Sequence, residues 1–205
     1  MRKGLKICGV SDPETLNYIL NHPQPPNFIG FITNYEKSKR FVEFKKLKDL
    51  IKVDRKNVNF ASVLVSPSEE ILEKIKDLKF DYYQLYDVDP NRTKEIKLKY
   101  KIKIITAITV SDNKDVIKYK DYSEISDIIL FDSKGYHKSE SFDHGLLDNV
   151  PNELNKMIAG NIQIEDIPNF KKKDFIIDLS GSLEDENGKK NINKIDKLLT
   201  LYSKI

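Results

Sequence analysis

In 205 residues the sequence holds one cysteine, eight glycines and no tryptophan. A single thiol excludes an internal disulfide framework and any zinc site built on several cysteines, and it suits a reducing compartment. Arginine is scarce as well: of 35 basic residues only Arg2, Arg40, Arg55 and Arg92 are not lysine. Set against 32 acidic residues, they leave a net charge of +3 spread along the chain, which argues against a dedicated nucleic-acid binder. No apolar run approaches the ~18 residues of a membrane span. Met1–Val10 is basic but lacks an apolar export segment, so a soluble cytoplasmic protein is expected. Gly-x-Gly-x-x-Gly, Walker and Gly-x-Ser-x-Gly patterns are absent, which removes the usual dinucleotide, nucleotide and serine-hydrolase readings. His22, His137 and His144 form no metal spacing, so no metal is expected and each reads as a solvated surface side chain.

What is present is a repeat of short apolar runs and lysine-rich amphipathic segments. The runs are Leu5–Val10, Phe28–Thr33, Phe60–Val65, Tyr82–Tyr86, Ile102–Val110, Asp127–Asp132, Lys156–Gly160 and Phe175–Leu179. They are continuous rather than alternating, as expected of parallel strands covered on both faces. Between them, Ser66-Pro67-Ser68-Glu69 predicts a capped helix start, with Ser66 as cap, and Ile71, Leu72, Ile75 and Leu78 fall on one face. Ser11-Asp12-Pro13-Glu14 repeats that opening. Phe44, Leu47, Leu50 and Ile51 make a third stripe, and Ile192, Ile195, Leu198 and Leu199 a last one. The segments after strands four to seven are weaker, and Ile164–Phe170, interrupted by Pro168, is expected to give only a turn or two. Eight strand–helix units in this length predict a single-domain (β/α)8 TIM barrel over residues 1–205; an open doubly wound sheet is the competitor.

In a barrel the chemistry sits at the C-terminal ends of the strands. Cys8, ending strand one, reads either as a small buried hydrophobe or as a base or nucleophile. Asp132 leaves the greasy run Ile128–Phe131, either as a structural carboxylate paired with Lys134 or as an acid raised by desolvation. Cys8 and Asp132 would face each other across the mouth. Gly160 and Gly181, ending strands seven and eight with Ser180 and Ser182, are either turn residues or a backbone cradle for a phosphate. Arg40 is an exposed charge or a fork for an anion.

Together these residues resemble the phosphoribosylanthranilate isomerase family. The resemblance rests on Lys6-Ile7-Cys8-Gly9-Val10 with Asp12-Pro13-Glu14, on Ile29-Gly30-Phe31 with Ser38-Lys39-Arg40, and on Tyr83-Gln84-Leu85. It continues through Leu130-Phe131-Asp132-Ser133, Phe142-Asp143, Ile158-Ala159-Gly160, Asp178-Leu179-Ser180-Gly181-Ser182-Leu183-Glu184 and Gly188-Lys189-Lys190, in the family's order. It implies an Amadori rearrangement of N-(5-phosphoribosyl)anthranilate without cofactor or metal. Cys8 would be the general base and Asp132 the general acid. Arg40 would orient the anthranilate and Asp178 would hold sugar hydroxyls. Gly160, Asn161, Ser180, Gly181 and Ser182 would bind the phosphate.

The partner implied is a small phosphorylated substrate, with no nucleic acid and no membrane; nothing in the sequence selects an oligomeric state. The chain departs from the family in a glycine-poor loop, Lys134–Ser141, in Gly160-Asn161 for a paired glycine, in a shifted Ser180-Gly181-Ser182 and in Tyr86-Asp87 for His-Gly. Those departures motivate two other readings. One is a non-catalytic or regulatory relative that binds a sugar phosphate or a partner protein; the other is an isomerase of another aminated ribose phosphate.

Overall fold

Continuous apolar strands need cover on both faces, and the computed structural model provides it. The structure describes residues 4–133, 142–170 and 173–204. Eight parallel strands pair in sequence order and close on themselves: β1 (Gly4–Cys8), β2 (Phe28–Ile32), β3 (Asn59–Val65), β4 (Tyr82–Tyr86), β5 (Lys103–Val110), β6 (Ile128–Ser133), β7 (Lys156–Ile158) and β8 (Phe175–Leu179). The barrel reading holds and the open sheet is excluded. The glycine-poor loop 134–141 lies outside the described residues, as does His137.

Alternate residues of each strand split the core in two. Outward side chains such as Ile7, Phe31, Phe60 and Phe131 pack under the helices in one large cluster. Inward ones, among them Phe28, Ala61, Tyr82, Ile105, Leu130 and Met157, fill the barrel. Each fully buried large side chain contributes roughly 1.5–3 kcal/mol relative to exposure. The interior is not wholly apolar, since Lys6, Gln84 and Asp178 are buried there too.

The outer ring contains α1 (Pro13–Asn21), α2 (Phe44–Leu50), α3 (Glu69–Ile75), α4 (Pro90–Tyr100), α5 (Asn113–Ile117), α6 (Tyr119–Tyr122) and α7 (Ile192–Tyr202). Asp12 caps α1 by accepting from the Thr15 N–H at 2.8 Å, with Pro13 in the first turn. The expected Ser66 cap is corrected to Ser68, which accepts from the Ile71 N–H. Ser66 instead adopts a left-handed φ of 40° and donates its hydroxyl to the Asp87 carbonyl.

The segment after β4, expected to be weak, forms the 11-residue α4. Asp89 and Pro90 start it, while only Thr93 and Ile96 are buried, so its apolar stripe is faint. After β7 the chain makes the short 3-10 segment Ile164–Phe170, as Pro168 suggested. Two histidines are not solvated, contrary to expectation. His22 is half-buried, its Nδ1 accepting from the Gln24 N–H, and His144 packs between the Phe142 and Phe170 rings. An imidazole's apolar body suits such sites. Among the described residues no helix is long and apolar enough to cross a membrane.

Candidate active site

At the C-terminal mouth of the barrel lies a cavity of about 500 Å³, a size suited to a small ligand. All nine residues singled out from the sequence line it: Cys8, Arg40, Asp132, Gly160, Asn161, Asp178, Ser180, Gly181 and Ser182. Strand parity explains the gathering. Lys6 and Cys8 are two apart on β1 and face inward together; the register sets Lys6 beside Asp178 of β8 and Cys8 beside Gly30 of β2.

The Asp132 carboxyl is held from two sides. Tyr86 donates its hydroxyl to Oδ2 at 2.7 Å, and the Ser133 N–H donates to Oδ1 at 2.8 Å. Gln84 Nε2 in turn donates to the Tyr86 oxygen at 3.2 Å. Burial pushes the carboxyl up to about 6, the charge of Asp178 adds to the rise, and the two donors pull it back. Burial also drives the Tyr86 phenol well above its ordinary value, so it stays a neutral donor. The alternative pairing of Asp132 with Lys134 falls on a residue outside the described set.

Burial likewise pushes the Cys8 thiol up, and the Lys6 ammonium is the main influence pulling it down. Lys6 is completely buried, with Nζ 2.7 Å from Asp178 Oδ2. Burial alone would lower the Lys6 value; Asp178 and Cys8 more than reverse that, and the ammonium persists. The other oxygen of Asp178, Oδ1, is buried without a hydrogen-bond partner.

Beyond β7, Gly160 has φ +98°, and a Cβ there would stand 2.6 Å from the Cβ of Ser133. Only glycine lets this turn press against the end of β6. Asn161 follows at φ 53°, its side-chain oxygen accepting from Gln163. Beyond β8, Gly181–Leu183 forms a single 3-10 turn. Its ladder starts with Leu183 N–H to Ser180 carbonyl, which leaves the Gly181 and Ser182 N–H groups outside it. The Ser182 hydroxyl is buried and unpartnered. Ser180 is different from the expectation: its hydroxyl donates to the Cys8 carbonyl at 3.0 Å, so it braces β1.

The Arg40 fork is not bare. Nε and Nη2 both donate to Glu184, the latter at 2.9 Å, and the buried Lys190 ammonium reaches the same carboxylate at 2.8 Å. These two cations outweigh burial and hold the Glu184 carboxyl below its ordinary value. Lys6, Tyr86, Glu184 and Lys190 all stand in segments that the sequence marks at strand ends or in the family motifs, but none of them was given a role there. One signal was available: Lys6 shares the strand face of Cys8. Among the described residues no group of three His, Cys, Asp or Glu side chains could hold a metal ion.

Such a pocket, with a raised carboxyl, a thiol and two glycine-bearing loops, suits acid–base work on a phosphorylated substrate. The family model for N-(5'-phosphoribosyl)anthranilate isomerase matches residues 5–200. The chain belongs to this family. The phosphoribosylanthranilate isomerase of Rhizobium johnstonii is 30% identical, covering 100% of this chain and 96% of that protein. The isomerase of Campylobacter jejuni is 32% identical over 95% of this chain and 96% of its own length. Among solved structures, phosphoribosylanthranilate isomerase from Thermotoga maritima superposes with a TM-score of 0.85 at 22% identity, each chain fully covered. A second, solved with reduced 1-(o-carboxyphenylamino)-1-deoxyribulose 5-phosphate, gives 0.84 at 21% identity, again with full coverage of both chains. The phosphoribosylanthranilate isomerase fold is thus matched end to end.

Proposed function

We propose that this chain catalyses the Amadori rearrangement of N-(5-phosphoribosyl)anthranilate to 1-(2-carboxyphenylamino)-1-deoxyribulose 5-phosphate, a cytoplasmic step of tryptophan biosynthesis. The observation that carries the reading is the meeting of the chain's only thiol, Cys8, and the raised carboxyl of Asp132 in one cavity. Asp132 in its acid form protonates the ribose ring oxygen as the C1′–oxygen bond breaks, and the anthranilate nitrogen forms the iminium. Cys8 as thiolate takes the C2′ proton, and the electron pair moves to neutralise the nitrogen, giving the enolamine. Protonation at C1′ and loss of the O2′ proton complete the ketone, so no proton or electron is consumed overall.

The chemistry needs two groups of opposite protonation within reach of one substrate. At neutral pH Asp132 is mostly ionised and Cys8 mostly thiol, so the productive form is the minority one. The iminium favours the thiolate as soon as the ring opens, because a positive charge then stands beside the sulfur. Asp178, with its free Oδ1, accepts from sugar hydroxyls. Gly160, Asn161 and the Gly181 and Ser182 N–H groups hold the phosphate, with the Ser182 hydroxyl as a further donor. Arg40, fixed by Glu184, orients the anthranilate carboxylate. The test is the loss of anthranilate fluorescence when the purified protein meets the substrate. Turnover above the enzyme-free rate is expected; the enzyme-free rate alone would refute the proposal.

A further inference from the structure

The barrel floor below the cavity carries a charge that the acid–base pair does not use. Lys6 is completely buried in a mostly apolar barrel interior, and a buried ion pair is poor material for stability alone. Its surroundings show what it is aimed at. Gly30, the register partner of Cys8, leaves open a space that two atoms share: a Cβ built there would lie 2.8 Å from Cys8 Sγ and 3.0 Å from Lys6 Nζ. Both groups therefore converge on one point, which any larger residue at position 30 would occupy. On its far side the ammonium is anchored to Asp178, its register neighbour on β8.

From this geometry we infer that Lys6 is a positioning residue for the Cys8 base, a counter-charge tethered by Asp178 and given access to the sulfur by Gly30. The inference rests on the reading of Cys8 as the base. It assigns Asp178 a second role: one carboxylate oxygen fixes the ammonium while the other faces the ligand. Other charged or titratable groups also act on the thiol. Lys190 favours the thiolate from the segment after β8, and Arg40, after β2, interacts with it as well. Tyr86 of β4 carries a neutral phenol, and Asp178 opposes the thiolate. Of the cations, Lys6 is the one that shares the space over Gly30.

Because Cys8 is the only cysteine, its alkylation by iodoacetamide reads the thiolate directly as a function of pH, without turnover. In Lys6→Met the midpoint of that profile is expected to rise by about one pH unit or more, so alkylation at a fixed pH below it slows about tenfold. Lys6→Met leaves Asp178 buried and unpaired and can fail to fold, so Lys6→Met/Asp178→Asn serves as the second variant. It keeps the shape while removing both charges, and its midpoint is expected to rise also. An unchanged midpoint in either folded variant overturns the inference. Full turnover by Cys8→Ala would instead refute the assignment of the base, a result that the alkylation profiles do not depend on.

Discussion

Removing one hydroxyl should move the acid limb of the pH profile. The Tyr86 phenol donates to Asp132 Oδ2 at 2.7 Å, while burial holds the carboxyl at about 6. A hydrogen bond to a charged acceptor is worth roughly 1.5–3 kcal/mol, and one pKa unit is about 1.4 kcal/mol. Tyr86→Phe therefore raises the Asp132 value by about 1–2 units. The visible effect depends on which forms react. With Asp132 protonated and Cys8 ionised as the productive pair, and Asp132 titrating first, kcat/KM climbs with pH up to the Asp132 value. It is then flat until Cys8 titrates, and falls above that. The lower inflection, near pH 6, thus belongs to the acid although it looks like a base's. In Tyr86→Phe it should move to about 7–8, whereas an inflection due to ionisation of the substrate's phosphate would stay. The assay is initial rate by anthranilate fluorescence at low substrate from pH 5 to 10. An inflection unmoved by the substitution would refute the assignment of that limb to Asp132.

Two further outcomes follow from the loops. Gly160→Ala puts a methyl against Ser133 at a φ of +98°, costing about 1–3 kcal/mol, or several degrees of Tm in a chain of this length. Thermal unfolding reads that loss, and KM should rise because the phosphate turn shifts. Glu184→Ala releases the Arg40 fork, so KM should rise about tenfold, some 1.4 kcal/mol, with a smaller change in kcat; a change confined to kcat would contradict the positioning role.

The fold was legible because a barrel strand covered on both faces leaves an uninterrupted apolar run, and all eight such runs became strands. Helices were less so. The exposed lysine-rich face of α4 hides its two buried anchors, Thr93 and Ile96, and only Asp89-Pro90 betrays its start. The choice between Ser66 and Ser68 turned on a left-handed backbone that adjacent residues do not encode. For the site, position at a strand end was enough to bring nine residues to one cavity. Their partners were not readable, because each pairing joins different strands or loops far apart in sequence: Lys6 with Asp178, Tyr86 with Asp132, Arg40 with Glu184. Strand parity marks Lys6 as inward; only the register says what it meets.

Cys8 and Asp132 divide the proton transfers between them. Steady-state kinetics of Cys8→Ala and Asp132→Asn, beside the unaltered chain, test that division. Each variant should lose roughly 10²–10⁴-fold in kcat while KM changes little. A rise in KM at unchanged kcat would contradict the claim and reduce both residues to substrate binding.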